Sequence, residues 1–154
     1  MGHVEFKRRV VTSVNAEGKS CIWLDGEVTM NAIFDSSKDG RVARVIWATD
    51  EVPAPLETSD PMINWFPAHE WFTKTGVHFG IFTWQPGSGY EMHASDTIDV
   101  IVVLSGAIEL ILEKGSTILR AGDCLVQRAT MHGWKVVGGE PCTFAGVLIA
   151  EKKD

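Results

Sequence analysis

A chain of 154 residues with 45% apolar and 22% charged residues is long enough to bury a core and too apolar for a disordered segment. Its formal net charge of −6 disfavours a nucleic-acid partner, because phosphate binding needs a basic face. The most apolar stretch, Ile98 to Leu112, is interrupted by Asp99, Ser105, Gly106 and Glu109, so no membrane span is expected.

In chain order, the opening MGHVEFKRRVVTS has no apolar run of signal-peptide type. Val4 to Val14 is a predicted first strand, with Lys7, Arg8 and Arg9 as a solvated basic patch. Ser20 to Leu24 is a second, closed by Asp25-Gly26, and Val28 to Phe34 a third, ended by the polar cluster DSSKDG. Val42 to Thr49 alternates in part and carries Trp47. Residues 50–76 then hold four of the six prolines together with Trp65, Phe66, Trp71 and Phe72. Proline interrupts both ladders and helices, so this is extended loop or short helix. The aromatics at 61–72 suit a lid over a barrel mouth, a dimer contact or simple closure of the barrel end.

From Val77 the pattern is cleaner. Val77 to Trp84 is a strand, Pro86-Gly87 turns the chain, and Thr97 to Leu104 with Ala107 to Leu112 form a predicted hairpin across Ser105-Gly106. Shorter strands follow at Ser116 to Leu119, Cys124 to Gln127 and Gly133 to Val137, then a last one at Cys142 to Ala150. Short apolar runs alternating with turn signals, and no long segment of period 3.6, indicate an all-β sandwich or barrel. No repeat or linker divides residues 1–154, which read as one domain. The cysteines, Cys21, Cys124 and Cys142, are odd in number and lack a CxxC pair. They read as reduced, buried thiols of a cytoplasmic protein.

Gly87, His93, Asp99 and Gly106 resemble the first cupin motif, G-x5-H-x-H-x3,4-E-x6-G, with Ser95 standing at the second histidine. The segment GDCLVQRATMHGW is similar to the second motif, G-x5-P-x-G-x2-H. Gly122 and His132 match it, while Gln127 holds the proline position and Ala129 the glycine position, with a spacing one residue shorter than the motif's. The motif-bearing core runs over about residues 77–150. The resemblance implies an all-β double-stranded β-helix, the jelly-roll barrel, with a pocket between its sheets and homodimers joined through exposed edges. His93, Asp99 and His132 would point into that pocket. His93, Ser95 and Asp99 are an even number of residues apart, so an unbroken strand puts them on one face, with Ile101 and Val103 as the pocket floor. Trp134 shares a face with His132 and is placed to flank a flat ligand.

Two chemistries fit these residues. In metal-binding cupins two motif-one histidines, a glutamate and a motif-two histidine hold the ion. Here His93, Asp99 and His132, with Gln127 as a fourth, would hold Fe, Mn or Zn for a dioxygenase. Against it, Ser95 is a poor ligand and Asp99 is shorter than glutamate. Without a metal, the same histidines and carboxylate form an acid–base set for a lyase or isomerase acting on a small organic molecule by dehydration, decarboxylation or proton transfer. Ser95, Ile101, Val103, Gln127 and Trp134 are then candidate substrate contacts. A non-catalytic ligand-binding barrel would need the apolar pocket alone. His78 has opposite parity to Phe79 and Ile81 and reads as structural or exposed, and His69 as a surface residue.

Overall fold

The computed structural model describes residues 8–27, 40–63 and 75–153. The predicted strand at Val28 to Phe34, the aromatics Trp65, Phe66, Trp71 and Phe72, and His3 and His69 lie outside these residues. The described part is all β. A hairpin pairs β1 (Arg8–Val14) with β2 (Ser20–Glu27). A five-stranded antiparallel sheet contains β3 (Arg41–Thr49), β4 (Val77–Trp84), β6 (Thr97–Ser105), β9 (Cys124–Arg128) and β11 (Cys142–Ala150). A four-stranded sheet contains β5 (Gly89–His93), β7 (Ala107–Leu112), β8 (Gly115–Arg120) and β10 (His132–Val136). Their orders are β3-β4-β11-β6-β9 and β5-β10-β7-β8. No helix among the described residues is long and apolar enough to cross a membrane.

The two sheets face each other, as in a jelly roll. Phe82, Ile101, Val103 and Phe144 from the larger sheet join Ile108, Leu110, Trp134 and Val136 from the smaller in one core. Period-two alternation produces this layer, because successive side chains on a strand point to opposite faces. On β6 the buried positions are Thr97, Asp99, Ile101 and Val103, and on β4 they are His78, Gly80, Phe82 and Trp84. His78 is therefore buried, on the inner face.

Four expectations change. Strands β6 and β7 do not form a hairpin. Each pairs with other partners, and Gly106 is a corner where the chain passes from one sheet to the other. Its φ is +74°, and a Cβ there would lie 2.3 Å from the Pro141 carbonyl oxygen, so only glycine fits. The strand carrying His93 is broken before Thr97. His93 ends β5 in the smaller sheet, while Asp99 belongs to β6 in the larger. Cys21 and Cys124 are exposed, and only Cys142 is buried. Both exposed thiols sit where a strand's outer face meets solvent, which three-residue context in the sequence does not reveal.

The basic patch also divides. Arg8 pairs with Asp25 at 2.7 Å in the open, but Arg9 is largely buried and forms a two-pronged ion pair with Asp60, with a further hydrogen bond to the Ile46 carbonyl at 3.2 Å. This pair and the edge contact of Trp23 with Trp47, centroids 6.4 Å apart, fasten the β1–β2 hairpin to β3 and the loop after it. Bidentate arginine–carboxylate geometry shielded from water is the strong form of such a pair.

Candidate functional site

The pocket lies between the sheets and opens to solvent at its mouth. Its polar residues are His93, Ser95, Asp99 and His132. Its walls are the rings of Phe82, Trp84, Tyr90, Trp134 and Phe144, with Ile101 and Leu148 filling between them.

His93 and His132 meet because they are direct cross-strand partners on β5 and β10. Their ring centroids are 4.2 Å apart at a tilt of 54°. A register irregularity follows His132, at Gly133, and it lets the two rings face inward together. His93 Nδ1 lies 2.8 Å from the Glu91 carbonyl oxygen, and His132 Nδ1 lies 2.8 Å from that of Thr130. A carbonyl can only accept, so Nδ1 carries a proton in each ring, and in the neutral ring Nε2 holds the lone pair. Among the described residues the hydrogen bonds of both rings run through Nδ1.

Burial pushes the His132 pKa below its ordinary value; the Thr130 carbonyl opposes this, and the neighbouring His93 charge adds to it. The ring is thus neutral at physiological pH. Burial pushes the Asp99 carboxyl above the usual carboxylate range, opposed by the Thr97 hydroxyl and the charge of His93. Thr97 donates to Asp99 Oδ1 at 2.6 Å, and Ser95 Oγ lies 2.9 Å from Thr97 Oγ1. Because Thr97 spends its only proton on Asp99, Ser95 is the donor to Thr97. A hydroxyl chain therefore links the pocket surface at Ser95 to the carboxylate. Thr97 was not among the residues the sequence pointed to; its parity with Asp99 was the available signal.

Nδ1 anchoring on a backbone carbonyl also suits a metal ligand, so the residues need a direct test against a metal centre. Among the described residues, no three of His, Cys, Asp and Glu stand close enough together to hold an ion. His93, Asp99 and His132 do not fit the three-ligand set expected of them. The physical reason lies in the shortened carboxylate, committed to Thr97, and in Ser95 at the missing imidazole. Gln127 does not supply the gap. It sits on β9 directly opposite Asp99, 3% exposed, and does not line the pocket. Neither of its amide atoms has a hydrogen-bond partner among the described residues. Val103 likewise belongs to the packed core rather than the pocket floor, while Ile101 and Trp134 line the pocket as expected.

The aromatic walls come largely from strands that carry no motif. Phe82 and Phe144 stack at 4.9 Å, and Trp84 meets Phe144 edge-on at 5.4 Å. Arg41 pairs with Trp84 across β3 and β4, and its guanidinium lies over the lining rings of Tyr90 at 4.7 Å and Trp84 at 5.6 Å. Ala129 takes φ 48°, a left-handed conformation, at the position where the second motif has glycine. The turn that delivers His132 thus keeps the motif's backbone despite the change of residue.

On the inner face beyond the pocket, burial lowers the His78 pKa to about 4. Above pH 6.5 the ring is neutral in both folded and unfolded chains and contributes no pH dependence. Between 6.5 and about 4 only the unfolded chain takes up the proton, so stability falls by roughly 3 kcal/mol across that window. Asp99 acts with the opposite sign, since its raised pKa makes the folded state hold a proton first. The urea midpoint should fall from pH 7 to pH 4.5, and His78→Gln should flatten that slope. An equal slope in the variant would move the acid sensitivity elsewhere.

A cupin domain model matches residues 80–149. The chain is 30% identical over 136 residues to the cupin-domain-containing oxidoreductase srdD of Neurospora crassa, covering 85% of this chain and 67% of that protein. It is 29% identical over 136 residues to the cupin-domain-containing oxidoreductase virC of Hypocrea virens, covering 85% and 68%. It thus spans about two thirds of the length of these relatives. In three dimensions it resembles the Cnp3 cupin domain of Schizosaccharomyces pombe, with a TM-score of 0.58 and 11% identity over 94% of this chain and 88% of that one, a likeness of fold alone.

Proposed function

This chain belongs to the cupin superfamily, and on that premise we propose that its barrel is a lyase or isomerase that moves a proton on a small organic substrate. The observation that carries this reading is the pair of imidazoles whose Nδ1 atoms are tied to backbone carbonyls, leaving two Nε2 lone pairs over an aromatic pocket. His132, held neutral by burial, takes a proton from the substrate at Nε2. His93 at 4.2 Å shares or returns that proton, because two adjacent rings do not both hold a charge. Asp99, which lines the pocket and whose carboxyl is raised by burial, supplies the acid directly, while Thr97 holds its other oxygen. The aromatic walls exclude water and orient the substrate. We extend the proposal to one domain over residues 1–154, a cytoplasmic location and a homodimer.

A second reading, redox chemistry, is supported by the names of the two oxidoreductases. One experiment separates them. Protein stripped with EDTA is incubated with candidate hydroxy acids, β-keto acids and enolisable ketones, and products are followed by mass spectrometry. Conversion without change of oxidation state, undiminished by EDTA, is the expected result. Turnover that needs added Fe or Mn, or a product two mass units lighter, would favour the second reading.

A further inference from the structure

We infer that the pocket is built for an uncharged aromatic compound bearing a hydroxyl, a phenol, whose proton is donated to Nε2 of His132 or His93. This names a substrate class for the site proposed above and rests on that acid–base reading.

The chain of reasoning starts at the two histidines. Each Nδ1–H is spent on a backbone carbonyl, Glu91 for one ring and Thr130 for the other. In its neutral form each ring can therefore only accept at Nε2. The complementary group on a ligand must be a donor, so an ether, an ester or a carboxylate leaves both nitrogens unsatisfied. Leaving a desolvated acceptor without a donor is costly, which turns this into selectivity.

The walls supply the second condition. Trp134 lies edge-on to His132 at 5.5 Å, and Tyr90 lies edge-on to His93 at 4.4 Å. Phe144 runs nearly parallel to Trp134, 19° apart at 6.3 Å. A flat ring entering here finds aromatic faces and edges on several sides. Charge supplies the third condition. Among the described residues no lysine or arginine is in the pocket lining, and the Arg41 guanidinium beside it is taken up by the faces of the lining rings Tyr90 and Trp84. Asp99, the one carboxyl among the described lining residues, repels an anion when ionised. An uncharged ligand avoids both the missing cation and that repulsion.

The test uses the whole EDTA-treated protein and three probes of one shape: 2-naphthol, 2-methoxynaphthalene and 2-naphthoate. Affinities are read by calorimetry and the imidazole nitrogens by 15N NMR. The expected result is that 2-naphthol binds about tenfold more tightly than its methyl ether, the effect of one hydrogen bond to a desolvated acceptor. The naphthoate should bind more weakly still. The Nε2 resonance of His132 or His93 should shift with 2-naphthol and not with the ether. In His132→Phe, which keeps an aromatic ring, the preference for naphthol should shrink. Equal affinity of naphthol and ether in the wild type, tighter binding of the naphthoate, or binding only after Zn²⁺ is added would each overturn the inference. If the naphthol preference appears but no compound is ever converted, the ligand assignment stands and the acid–base reading fails. If only compounds lacking a donor are converted, the reverse holds.

Discussion

His132→Asn should lower kcat/KM by about 10²–10⁴-fold on a compound that the wild-type protein converts, the usual effect of removing a positioned general base. The reason is geometric. His132 is 2% exposed, fixed at Nδ1 by the Thr130 carbonyl, and faces the pocket with a free lone pair. Asparagine retains a polar group of smaller size but no nitrogen basic enough to take a proton. His93→Asn should act in the same direction, and the double variant should lose less than the two single losses multiplied together. Subadditivity follows if the two rings, 4.2 Å apart, handle one proton as a unit. Circular dichroism and thermal melts of both variants establish that the fold is retained. Full activity in folded His132→Asn would remove the acid–base assignment.

Phe144→Ala should destabilise the fold by about 3–5 kcal/mol, the range for truncating a buried phenylalanine. Phe144 lies on β11, the central strand of the larger sheet, and is 5% exposed. It stacks on Phe82, meets Trp84 edge-on and runs parallel to Trp134 of the opposite sheet. Removing it opens a cavity that the three surrounding rings, from two sheets, cannot close by small shifts. The melting temperature should drop by roughly 10 °C. Phe144→Leu, which keeps most of the volume, should cost less than half as much. A drop of only 1–2 °C for the alanine variant would mean that the pocket already gives this ring room to be absent. Because Phe144 also lines the pocket, ligand affinity should weaken in both variants even at temperatures where they are fully folded.

The class of fold was legible in the chain itself. Turn residues punctuate short apolar runs, and the strands from Val77 onward stand close to where alternation placed them, apart from the overlooked β5. Gly87, Gly106 and Gly122, found by motif, all adopt positive φ, so their identities record real backbone demands. His93, Asp99 and His132 do share one pocket with Ser95, Ile101 and Trp134. These features are local: a turn needs its glycine and a face needs its parity, wherever the strand ends up.

What sequence could not supply was register between strands far apart in the chain. The pairing of His93 with His132 across β5 and β10 sets their spacing. The corner at Gly106 separates β6 from β7, which adjacency along the chain had suggested were partners. Phe82, Trp84 and Phe144 became pocket walls only through the alignment of β4 and β11. Val103 and Gln127 had the right parity yet lie beyond the pocket, because parity assigns a face and not a position along it. The sequence by itself determined the cupin barrel and the identities of its two histidines and its carboxyl. Tertiary structure alone decided that the imidazoles are anchored acceptors, that the carboxyl is tied to Thr97, and that the three do not close on a metal. Those facts are distances between chain-distant atoms, and they are set by the packing of two sheets.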